Sequence, residues 1–268
     1  MSRVRIIRAG KAATQAAPTA APAPAPVAAA PVDTPRAPAL QVVERAAERI
    51  APHVFAERRP GIKRVLNSGS GEPTARSLHA IFRSADWEET RLDIDNSVRP
   101  DIVSSVVDMA AAVPTGSVDA VWSSHTIEHL FEPEVERALV EFRRVLAPGG
   151  FVLITCPDLE EVARLVLEKG LDAEAYRSPA GPIRPYDMLF GHGPAIRAGN
   201  TFMAHKSGFT VDTLGRALLK AGFAEVRAAK GPGFNLWALG CTEATDHAAL
   251  ERMLRLTTEA FLVEDEAA

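Results

Sequence analysis

The stretch Lys63-Arg64-Val65-Leu66-Asn67-Ser68-Gly69-Ser70-Gly71-Glu72 constrains this chain more than any other. Two apolar residues run into a polar turn carrying Gly-x-Gly, and the residues from Thr74 to Phe82 are expected to continue as a helix. A strand, a tight loop and a helix N-terminus in that order open a doubly wound α/β domain. In such a loop, backbone N–H groups and the positive end of the helix dipole approach a ligand. Glycine lets the main chain come close because no Cβ stands in the way. Asn67, Gly69, Ser70 and Gly71 are therefore candidate ligand-binding residues.

The neighbouring residues narrow the ligand. A dinucleotide loop places a third glycine three positions after Gly71, and Thr74 stands there instead. Glu72-Pro73-Thr74 also lacks the lysine that grips phosphate in a P-loop. A glutamate beside the loop repels a pyrophosphate but tolerates a ligand carrying an amino group and a sulfonium. A nucleoside with a cationic tail fits better than one with phosphates, and a nucleotide-sugar or NAD-dependent oxidoreductase is disfavoured.

The chain has 268 residues, of which 47% are hydrophobic, enough for one large α/β domain or two small ones. Its formal charge of −4 argues against general nucleic-acid binding, which wants a basic face. No apolar run reaches the roughly eighteen residues of a membrane span. Cys156 and Cys241 have no metal-ligand spacing and are too few for a disulfide scaffold. They read as buried, reduced thiols of a cytoplasmic protein, and no metal set is expected.

Residues 1–39 differ in composition. Arg3, Arg5, Arg8 and Lys11 precede an Ala/Pro-rich run from Ala12 to Ala39, with no acidic side chain before Asp33. Proline at this density leaves extended, solvated chain, so this segment is expected to be a disordered tail. It lacks the apolar core of a secretory signal. A tail without specific function, a transit peptide, and an arm docking onto an acidic partner all remain open readings. Residues 40–268 form the expected domain, with a first helix from Leu40 to Arg58.

Further along, Thr90 to Ile94 reads as a strand ending in Asp93, about twenty residues beyond Gly71, where a doubly wound fold places the acid that holds a ribose diol. Asp95 competes for that role or caps the next turn. Ser117 to Trp122 is a buried strand whose end presents Ser123-Ser124-His125. Ligands in open α/β sheets sit at the carboxyl ends of strands, which puts Ser124 and His125 at the site. Taken alone, His129 reads as a helix-surface or capping residue. Pro133 to Leu146 is an amphipathic helix, and the unbroken apolar run Phe151 to Cys156 suits a parallel strand buried on both faces. Asp158 with Glu161 caps a helix running to Lys169. Thr210 to Gly222 is a helix, Ala224–Arg227 and Leu236–Cys241 a hairpin, and Asp246 to Val263 a final helix. Residues 171–209 break the strand–helix rhythm and collect Tyr176, Tyr186, His192 and His205, as expected of a lid over a partly apolar substrate.

These pieces resemble one known family. Val65-Leu66-Asn67-Ser68-Gly69-Ser70-Gly71 is similar to motif I of the class I S-adenosylmethionine-dependent methyltransferases. Arg91–Asp95, Val107–Met109, Val118–Leu130 and Arg144–Gly150 match later motifs in order and spacing. The common motif I aspartate is replaced by Asn67. The Leu-Asn-x-Gly-x-Gly variant also looks like type 11-like methyltransferases associated with bacterial glycan biosynthesis. The resemblance implies a Rossmann-like, mostly parallel seven-stranded sheet with a C-terminal antiparallel hairpin, and S-adenosyl-L-methionine as cofactor. It implies that Asp93 holds the ribose with Ile94 beside it, and that Asp108 and Met109 hold the adenine. The implied reaction is an SN2-like methyl transfer to a small molecule or sugar. His125 is the first candidate base, with His205 and His192 as lid-borne alternatives and Tyr186 as an orienting hydroxyl. A catalytically silent relative acting as scaffold or partner-binding protein is the other reading.

Overall fold

A computed structural model of the chain describes residues 5–8, 55, 59–74, 77–178 and 181–263. The strands are β1 (Arg5–Arg8), β2 (Lys63–Ser68), β3 (Trp87–Asp93), β4 (Ile102–Val103), β5 (Val118–Ser124), β6 (Leu146–Pro157), β7 (Tyr176–Ser178), β8 (Gly181–Ile183), β9 (Glu225–Lys230) and β10 (Asn235–Cys241). The α-helices are α1 (Glu132–Val145), α2 (Leu159–Lys169), α3 (Pro185–Phe190), α4 (Gly193–Arg197), α5 (Val211–Lys220) and α6 (His247–Leu254). One sheet runs in the order β1-β9-β10-β6-β5-β2-β3-β4, and β7 and β8 pair separately. From β6 to β4 all neighbours are parallel, while β10 pairs antiparallel with β6 and β9. Seven of these strands are the Rossmann-like arrangement with its terminal hairpin.

The sheet is covered on both faces, so its central strands carry apolar residues in unbroken runs. On one face Leu66, Val121, Val152 and Ile154 pack with Val135, Leu139 and Phe142 of α1 and Leu214 and Leu218 of α5. On the other, Val65, Ala120, Trp122, Leu153 and Leu239 meet Phe82, Leu250 and Leu254. Trp122 stacks on Trp237 at 5.8 Å between ring centroids. Burial of this extent is the main stabilising term of such a fold. Both cysteines are buried, and burial pushes their thiols up, that of Cys241 to about 12.

Three expectations change. Residues 1–39 are not all extended, solvated chain, because Arg5–Arg8 pairs with β9 in the register Arg5 to Ala228 through Arg8 to Glu225. Without it β9 would be an open sheet edge, and the Ile6-Ile7 pair favours strand. Among the described residues of the expected helix from Thr74 to Phe82, only the 3-10 turn Ala80–Phe82 is helical. There Ser77 Oγ donates to the Thr74 carbonyl and the His79 ring accepts from the Ile81 N–H, local bonds that compete with a helix. The last helix stops at Leu254, where Thr257 Oγ1 takes the Leu254 carbonyl. The expected helix from Leu40 to Arg58 lies outside the described residues, apart from Phe55. Among the described residues no helix is long and apolar enough to cross a membrane.

Candidate active site

The chain order places β3 and β5 on opposite sides of β2, and the crevice at this switch point is where an open α/β sheet binds ligand. A cavity of about 700 Å³ opens there. Its floor is the loop after β2 with Asp93 and Ile94 at the end of β3. Its far wall is the end of β5 with Ser124, His125 and Glu128, and its roof comes from residues 176–206.

The loop backbone is fixed by its neighbours. Gly69 and Ser70 N–H both donate to the Leu92 carbonyl, at 2.8 and 3.1 Å. Gly71 N–H donates to Asp93 Oδ2 at 2.8 Å, and Asp95 N–H to Asp93 Oδ1 at 2.9 Å. Each glycine has its own reason to be glycine. Gly69, at φ +66°, lies against Thr126, whose side chain a Cβ would strike. Gly71, at φ +56°, has nothing within 4 Å of where a Cβ would sit, so the main chain lines open space.

The other expected cofactor residues divide. Ile94 is 51% exposed and lines the cavity, as does Ser124. Asn67 lies deeper, its amide donating to Glu89 Oε1 at 2.7 Å and thus tying β2 to β3. Asp95 caps the turn Asn96–Val98 through the Ser97 N–H. Asp108 and Met109 do not fit the adenine role. Asp108 is exposed and accepts from the Ala110 N–H outside the cavity lining, while Met109 is wholly buried in the core. The cavity wall there is Ser104, Ser105, Val106 and Val107, because the chain after the short β4 turns before it reaches Asp108.

His125 sits at φ +48°, uncommon for a residue with a side chain, with its N–H held by the Thr155 carbonyl at 2.8 Å. Its Nδ1 lies 3.1 Å from Glu128 Oε1. Burial alone would lower the imidazole pKa, but the bond and charge of Glu128 outweigh it and raise the value. The Glu128 carboxyl is likewise held down against the opposing effect of burial by His125 and then His129. His205 and His192 both face the cavity from the roof. Burial keeps the His205 imidazole below its ordinary value. Tyr186 is not at the site: it is 40% exposed, packed on Phe190 and under Arg184. Pro185 starts α3 and turns that ring outward, leaving Tyr176 as the tyrosine that lines the cavity.

Sequence reasoning set His129 aside and gave Glu128 no role. Both line the cavity, and with His205 their ligand-type atoms all lie within 4.8 Å of one another. The adjacent pair at 128 and 129 was visible in sequence, but nothing in the spacing tied it to His205. The roof is pinned here because Lys206 and Ser207 N–H both donate to the Glu128 carbonyl.

Residues 66–154 match the family described as "Methyltransferase domain". No curated protein matches the chain. Among solved structures, a SAM-dependent methyltransferase from Archaeoglobus fulgidus is 14% identical, with 68% of this chain and 87% of that one covered at a TM-score of 0.47. The 1,6-didemethyltoxoflavin-N1-methyltransferase of Burkholderia thailandensis, solved with 1,6-didemethyltoxoflavin and S-adenosylhomocysteine, is 15% identical over 69% of this chain and 72% of its own, at 0.41. A SAM-dependent methyltransferase from Aquifex aeolicus is 15% identical over 67% and 81%, at 0.42.

Proposed function

We propose, from the match of residues 66–154 to the methyltransferase domain family, that this chain moves a methyl group from S-adenosyl-L-methionine to a small-molecule or saccharide acceptor. The observation that carries the reading is one continuous cavity. It joins the side-chain-free backbone at Gly71 and the Asp93 carboxylate to the histidines and the roof. The residues fit the cofactor. Asp93 keeps a second lone pair on each oxygen after accepting from Gly71 and Asp95, which suits a ribose diol. Ile94 offers apolar surface beside it.

When bound beside Asp93 and Gly71, the cofactor would supply an activated methyl carbon to a lone pair of the acceptor. The protein's share is alignment and exclusion of water. Tyr176, Ile183, Phe202 and Met203 give the acceptor end an apolar lining, with Asp187 and His192 as polar contacts. That mixture suits a compact acceptor with an apolar body and a few hydroxyl or amine groups. His125, with Nδ1 engaged by Glu128, has Nε2 left to accept an acceptor proton.

Calorimetry with S-adenosylhomocysteine tests the reading. Wild-type protein should bind one equivalent, and Asp93→Ala should lose on the order of 1–3 kcal/mol of that affinity. Asp93→Asn should recover part of the loss, because it still accepts from one loop N–H. Absence of binding by the wild type would favour a catalytically silent scaffold, and unchanged affinity in Asp93→Ala would remove Asp93 from the site.

A further inference from the structure

Glu128, His129 and His205 carry an arrangement that methyl transfer alone does not account for. A carbonyl can only accept, so the 3.1 Å contact between His129 Nδ1 and the Ala204 carbonyl places the proton on Nδ1. The same holds for His205 Nδ1 and the Met188 carbonyl at 2.8 Å. In the neutral ring each imidazole then keeps its lone pair on Nε2. The two rings stand edge to face with centroids 4.8 Å apart. Glu128 is 1% exposed and its Oε1 is taken by His125, while its buried Oε2 has no partner. A buried carboxylate oxygen without a partner is costly and calls for one.

We propose that Glu128, His129 and His205 bind a divalent transition-metal ion, which holds the acceptor through an oxygen. Two imidazoles, each oriented by a carbonyl behind it, and one carboxylate oriented by an imidazole form the outer-shell pattern of a metal site. Nitrogen and oxygen donors of this mix suit zinc, cobalt or iron better than magnesium. Ligand atoms around one ion at about 2.1 Å stand roughly 3.0–3.4 Å apart. Side-chain rotations of about 1 Å therefore close the set from its present spread of at most 4.8 Å. Three protein ligands leave coordination positions open toward the cavity, where an acceptor hydroxyl or carboxylate can bind. Because Glu128 and His129 come from the end of β5 and His205 from the roof, the ion would also lock the roof to the core.

The ion site stands on this geometry, and only its role toward an acceptor rests on the methyltransferase reading. Full-length protein freed of any affinity tag and stripped with chelator is titrated with Co2+, read by visible ligand-field absorption, alongside S-adenosylhomocysteine calorimetry. The expected result is one equivalent of Co2+ with an absorption band, displaced by Zn2+ and weakened at least tenfold in His129→Gln and in His205→Gln. Absence of the band in wild type overturns the ion site, and so does Co2+ binding that both variants retain. If His205→Gln fails to fold, the wild-type titration and His129→Gln decide. Wild type that binds the cofactor product but no Co2+ leaves methyl transfer standing without the ion. Wild type that binds Co2+ but not the product keeps the ion site and removes its proposed role.

Discussion

Gly69 and Gly71 lie two positions apart and share a left-handed backbone, yet alanine should affect them differently. At either position the conformation costs an alanine about 1–2 kcal/mol. At Gly69 the new Cβ also strikes Thr126, whose hydroxyl donates to the Ser68 carbonyl at 3.0 Å, so the contact between the loops that follow β2 and β5 is disturbed. Gly69→Ala should therefore lower the urea midpoint more than Gly71→Ala, while Gly71→Ala, whose Cβ enters open cavity, should lose only the conformational cost and weaken cofactor binding. Equal stability loss in the two variants would contradict the assignment of open space at Gly71. At this scale Gly69, Gly71, Asp93, Ser124 and His125 could be read from sequence, because each sits at or next to the end of a parallel strand and strand ends are periodic features. Asp108 could not be judged that way. Whether it faces the crevice depends on where β4 stops, and a two-residue strand leaves little pattern to show it.

Among the described residues from β7 to residue 206, Met188 is the one buried member of a hydrophobic cluster. Met188 of α3 packs with Val162 and Leu165 of α2 in a small cluster of its own. Asp187 fixes the start of α3, its carboxyl held below the ordinary value by Arg184 against the opposing effect of burial. Met188→Ala removes one of the three buried members of that cluster, where such a truncation costs about 2–5 kcal/mol of local packing. The expected outcome is faster hydrogen exchange in residues 181–206 with little change in β2, β5 or β6. Loss of protection throughout the sheet would show that the roof is not an independent unit. The existence of this segment was legible as an interruption of the strand–helix rhythm. Its internal hairpin and short helices were not, because they are held by tertiary contacts and turn chemistry. Nor was the outward turn of Tyr186, which depends on where α3 begins.

Across the molecule, the far face of the sheet is closed by residues distant in sequence. His79 Nε2 meets Glu259 Oε2 at 2.9 Å among Phe82, Trp122 and Trp237. Burial alone would raise the Glu259 carboxyl, but hydrogen bonds from His79 and Thr258 outweigh it and hold the value at about 2 against an ordinary 4.5. A depressed carboxylate contributes stability in full above its unfolded value and loses it as pH falls through the folded one. Acid should thus remove about 1–3 kcal/mol between roughly pH 5 and 2. Glu259→Gln should flatten that part of the stability curve in denaturant melts, and an unchanged slope would show that other carboxylates dominate. The parallel order of the sheet followed from the alternation of strand and helix patterns. The pairing of Arg5–Arg8 with β9 did not, since it joins segments over 200 residues apart. What fills the crevice above Gly71 decides whether this fold transfers methyl groups. A crystal structure of the full-length protein with S-adenosylhomocysteine should place the ribose hydroxyls within hydrogen-bond distance of Asp93 and the sulfur facing the His125 end of the cavity. A nucleoside bound elsewhere, or turned so that Asp93 contacts no ribose oxygen, would contradict it.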